Sequence, residues 1–175
     1  MNELVHGYYA GERQTALIGV AIGAALVVIA VLLWRASAAA SVGRGAAYAL
    51  VVAGLLQAAV SAGYVVITAG RAADAAALYS NQPDDTVVEK EEARVRGVLR
   101  SGFTGALAMN TALLAVGVIL VFASQSAPLR KGVALALMIV GVTGHCLEAF
   151  SIQRNRRYET DLTRARTETR PVPPR

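Results

Sequence analysis

Four apolar runs, at residues 16–34, 46–70, 103–123 and 132–152, constrain this chain more than any other feature. Each holds at least 19 residues. A helix rises about 1.5 Å per residue and the hydrocarbon core of a bilayer is about 30 Å thick, so each run suffices for one crossing. Within hydrocarbon the backbone must satisfy its own N–H and C=O groups, which for separate runs of this length means helices. The predicted fold is an all-α membrane protein. Its four transmembrane helices form an up-down bundle, and helices two and three extend beyond the bilayer.

Composition points the same way. Hydrophobic residues make up 55% and charged residues 17%, against about 25% charge in a typical soluble domain. No stretch outside the runs is long enough for a second core. One transmembrane domain over 1–159 is expected, followed by a disordered basic tail over 160–175. The tail alternates Arg, Thr and Glu without apolar periodicity. The first run exceeds the 7–15 residues or so of a signal-peptide core, so it reads as a retained span. Richness in Ala, Val and Arg gives the look of a bacterial inner-membrane protein.

Charge asymmetry sets the expected orientation. With four crossings, both termini and the segment 71–102 share one side. That side carries 13 Lys and Arg, against four (Arg35, Arg44, Arg130 and Lys131) on the other. The positive-inside bias places both termini in the cytoplasm. Basic residues near span ends meet anionic lipid, so the net charge of +5 is no argument for nucleic acid.

Segment 71–102 reads as a helical hairpin. Ala72–Tyr79 prolong the second span, and Asn81-Gln82-Pro83-Asp84 form a turn. Thr86 and Glu89 have capping-box spacing. Beyond them Val88, Val95, Leu99 and Phe103 share a helical face.

Polar residues in the spans are few. Gln57, Ser61, Tyr64 and Thr68 lie on one face of the second span, and such a stripe should turn away from lipid. Asn110 of the third span is a candidate partner for it. Glu148 is the one acid within the four runs, three residues from His145. An ionised carboxylate there calls for a partner or water. Arg13, Arg71 and Arg100 are candidates for pairing with it. Glu12, Tyr64 and Thr68 complete a ligand or ion-pair cluster expected at the same membrane level.

Carboxylate and imidazole suit a transition metal, with His145, Glu148 and Glu12 as candidate ligands. The paired Glu-x-x-His repeat of helical-bundle metal sites is lacking, and no cofactor is predicted. No phosphate loop, His-Glu-x-x-His or Gly-x-Ser-x-Gly occurs. In span number the chain is similar to the small multidrug transporters. Their membrane glutamate lies in the first span rather than the fourth, so no activity is carried over.

Gly19 and Gly23, in line with Ala16 and Ala30, form a small-residue face on the first span. Gly141 and Gly144 add a second such surface. The leading functional expectation is a structural or accessory membrane protein, associating with itself or a partner subunit through such faces. The alternative is a small-molecule or ion-handling protein with its pocket at the cytoplasmic end, around Glu148 and His145. An enzymatic role ranks behind both.

Overall fold

A computed structural model describes residues 2–81 and 84–169, and among these every element is a helix or a short connection. The helices are α1 (Asn2–Ala36), α2 (Val42–Asn81), α3 (Asp84–Gly97), α4 (Phe103–Ala123) and α5 (Pro128–Thr169). A five-residue π-helical stretch, Val98–Gly102, joins α3 to α4. Together α3 and α4 behave as one rod, giving four helices long and apolar enough to cross a membrane. The chain is thus a multi-pass membrane protein.

α1, α2 and α5 outrun their apolar runs, and α4 coincides with its own but is prolonged backwards by α3. The expected hairpin segment is helical on both sides of the gap at 82–83, and its turn falls partly outside the described residues. α3 starts at Asp84, ahead of the Thr86–Glu89 pair. The expectation of disorder from residue 160 is corrected: α5 continues to Thr169. Residues 170–175 lie outside the described part. The reason for the continuation is packing, because Tyr158 and Leu162 are buried among residues of other helices.

Short connections shape the other end. Ser41 caps α2, its Oγ accepting the Arg44 N–H at 3.2 Å. Arg44 also donates to the Ser37 carbonyl at 2.7 Å and lies over the Trp34 ring at 4.4 Å from its centroid. Pro128 opens α5, where its missing N–H is harmless.

Glycine and alanine bring the spans together. Ala16, Gly19, Gly23 and Ala30 of α1 are buried. A Cβ on Gly23 would lie 2.6 Å from the Ala58 nitrogen and 2.7 Å from the Gly54 oxygen. That close backbone approach requires glycine. At the opposite end Gly45 of α2 abuts the Leu129 carbonyl of α5, and Gly132 of α5 abuts Val42 of α2. On the other side of α5, Gly117 of α4 meets Ala134 and Met138, and Gly141 of α5 meets Asn110 and Leu114 of α4. Among the described residues α4 packs on α5 and touches neither α1 nor α2. The spans therefore stand in the order α1, α2, α5, α4.

A second core lies away from the apolar runs. The start of α1, the end of α2, α3 and the end of α5 converge on Val5, Tyr8, Tyr9, Ala75, Val95, Tyr158 and Leu162. Tyr8 stacks on Tyr158 with centroids 3.9 Å apart and planes 10° apart. An aromatic pair of this kind adds about 0.5–1.5 kcal/mol beyond the area it buries.

Candidate functional site

The polar centre of the molecule forms around Glu12, whose side chain is 6% exposed. Glu12 stands on α1 one turn before Ala16, where α1 is gripped from both sides. From α2, the Tyr64 hydroxyl donates to Glu12 Oε2 at 2.6 Å. From α5, Arg154 Nε donates to Oε1 at 2.8 Å. Arg154 Nη1 also donates to the Gly11 carbonyl at 2.6 Å and to Thr15 Oγ1 at 2.5 Å. One carboxylate and one guanidinium thus tie three helices together. A guanidinium presents a planar fork of donors, so it can hold a carboxylate, a carbonyl and a hydroxyl at once.

The expected pairing of Glu148 with Arg13, Arg71 or Arg100 is replaced by this one. All three arginines are exposed, and none forms an ion pair among the described residues. Glu148 is half-buried. It has no hydrogen bond or ion pair among the described residues. His145 turns to α4, with Nε2 3.2 Å from Thr111 Oγ1. The Thr111 hydroxyl donates to the Leu107 carbonyl at 2.8 Å. Its oxygen is then the acceptor, which assigns the proton to His145 Nε2.

The polar stripe of α2 faces α1. Gln57 donates to Ser61 Oγ at 3.0 Å, and Ser61 lies beside Gly19. Thr68 donates to the Tyr64 carbonyl one turn back. Asn110 is not a partner for this stripe. Its side chain lies against Gly144 of α5, and among the described residues α4 does not touch α2. Among the described residues no group of three His, Cys, Asp or Glu side chains could hold a metal ion. His145, Glu148 and Glu12 therefore do not assemble as a metal site.

Several interacting residues lie outside the cluster expected around Glu148. Tyr8 donates to Asn155 Oδ1 at 2.8 Å, and Tyr9 to Glu91 Oε1 at 3.1 Å. Arg94 Nε donates to Glu91 at 2.9 Å, and its guanidinium lies 5.4 Å from the Tyr8 and Tyr9 centroids. Buried Glu92 accepts from Arg96, from Thr163 at 3.2 Å and from Arg166 at 3.1 Å. Arg154, Asn155, Tyr158 and Leu162 do carry a signal. Steps of three and four residues place Asn155, Tyr158 and Leu162 on one helical face. Only one of the three is aliphatic, so an apolar pattern alone does not expose it.

No family model, curated protein or solved structure matches the chain.

Proposed function

We propose that this chain is an integral membrane protein of structural or accessory type that assembles with a second copy or a partner subunit. The reading places the four long helices up and down across the bilayer. Both termini lie in the cytoplasm, and the Tyr8–Tyr158 core stands beyond the membrane on that side. Positive-inside charge supports the orientation. The Glu12–Arg154–Tyr64 clasp and the Glu92 ion pairs support a static role, since each buried acid is engaged by an arginine.

The carrying observation is the open row of spans. α1 places its small-residue face on α2, whereas among the described residues α5 is the one other spanning helix that α4 contacts. On α4, Gly105, Ala108, Ala112 and Ala115 are exposed, at steps of three, four and three. An added Cβ on Gly105 meets nothing within 4 Å. Such a face lets another helix approach closely. Native mass spectrometry in mild detergent tests the reading. More than one copy, or a co-purifying subunit, is expected, and Ala112→Leu lowers that stoichiometry. A single copy at every concentration, unchanged by Ala112→Leu, refutes it.

A second reading is small-molecule or ion handling at Glu148 and His145. It is favoured by the half-buried Glu148 carboxylate with no partner among the described residues. It requires pH-dependent ligand binding that Glu148→Gln abolishes. Under the assembly reading, that substitution changes stability or stoichiometry alone.

A further inference from the structure

Between α1 and α5 lies a groove of about 680 Å³. Ile18 and Ile22 of α1 and Leu147 and Phe150 of α5 form its apolar walls, and Arg154 and Arg157 stand at one end. The walls belong to the apolar runs, while the two arginines follow the last of them. From Cys146 to Arg157 the groove follows α5 for about 17 Å. Its occupant should therefore be apolar over most of that length and anionic at one end.

The cationic end has unused capacity. Arg154 gives Nε and Nη1 to α1, but its Nη2 is buried without an acceptor. Arg157 is exposed, with no hydrogen bond or ion pair among the described residues. Glu12 already neutralises Arg154, so Arg157 supplies the net positive charge. A free phosphate would use the arginines and leave the walls bare. A neutral lipid would use the walls and leave the arginines without a counter-charge.

We propose that this groove binds an anionic phospholipid. One acyl chain lies between Ile18 and Phe150, and the phosphate meets Arg154 and Arg157. The proposal rests on placement of the chain in a membrane, and not on its self-association. Guanidinium groups suit phosphate because their donors pair with two oxygens at once. Basic pockets between membrane helices recognise lipid headgroups by the same chemistry.

Cys146 is the chain's single cysteine; it is exposed and lines the groove. Its alkylation by N-ethylmaleimide therefore reports occupancy in the full-length protein in detergent micelles. Phosphatidylglycerol should slow the reaction relative to the same amount of phosphatidylcholine. Arg157→Gln should weaken the protecting affinity about fivefold, the loss of one arginine contact at a lipid surface. Arg130→Gln, near the other end of α5, should leave it unchanged. Equal protection by both lipids would show ordinary annular lipid and overturn the proposal. Protection that survives Arg157→Gln, no protection by either lipid, or equal protection by inorganic phosphate would overturn it too. A chain that stays soluble without detergent would instead remove the membrane premise, and that is seen before any lipid is added.

Discussion

Replacing Gly23 by alanine should push α1 and α2 apart. The new methyl carbon would lie 2.6 Å from the Ala58 nitrogen, 2.7 Å from the Gly54 oxygen and 2.9 Å from the Ala58 Cα. All three are backbone atoms, so no rotamer change relieves the clash. Ordinary van der Waals contact begins at 3.4 Å. The helices must therefore separate by about 0.5–0.8 Å, a gap that forfeits roughly a quarter to a half of each contact's dispersion well. Overpacking of this kind destabilises by about 1–3 kcal/mol. Alanine offsets up to about 1 kcal/mol through its better helix propensity. The net expectation is a loss of about 1–2 kcal/mol. Gly63, on α2, is the internal control, since a Cβ there meets nothing within 4 Å. Gly63→Ala should be neutral or stabilising by up to about 1 kcal/mol. Gly54→Ala should lose stability like Gly23→Ala, and the double variant should lose less than the two together, because one separation serves both methyls. Reversible unfolding in mixed micelles, followed by circular dichroism, measures all four. If Gly23→Ala proves as stable as Gly63→Ala, the close approach of α1 and α2 is refuted.

Glu12→Gln removes one partner of a buried ion pair and should destabilise by about 3–5 kcal/mol. Replacing both Glu12 and Arg154 by leucine should recover most of that, and a double variant no better than the single would contradict the clasp. Leu162→Ala should lose about 2–5 kcal/mol, as for a fully buried leucine. An effect near zero would mean that the end of α5 is not packed. Arg96→Gln should cost less than about 1 kcal/mol, because its side chain is 54% exposed. A loss as large as that of Glu12→Gln would invert this ranking of the two ion pairs.

The spans were legible because long apolar runs have one solution in lipid. Ser61 and Thr68 of the polar stripe are buried, as the same constraint requires. Glu12 and Tyr64 meet within the expected cluster, but the pairing of Glu12 with Arg154 did not follow, although both were visible in the sequence. Their meeting depends on which helices are neighbours, and local spacing carries no such information. Arg154 follows the fourth apolar run directly, and only the placement of α5 beside the start of α1 makes it a partner for Glu12. Glu148 is the lone acid of the apolar runs. Glu12 lies four residues ahead of one, and its burial comes from α2 and α5 rather than from its own run. The end of α5 was obscured for a related reason. Tyr158 and Leu162 are separated by charged residues, and their burial depends on Val5, Tyr8 and Val95, which come from distant parts of the sequence.

The 40 residues of α2 form one unbroken rod about 60 Å long. It belongs at once to the apolar layer and to the tyrosine-lined core, and α1 and α5 do the same. Such beams act as levers: a tilt of about 5° at one end carries the other end sideways by roughly 5 Å over that length. The third rod differs, because the π-helical turn at Val98–Gly102 interrupts its regular bonding and is where it can flex. Strain imposed on one layer is thus delivered to the other through three stiff struts and one jointed one.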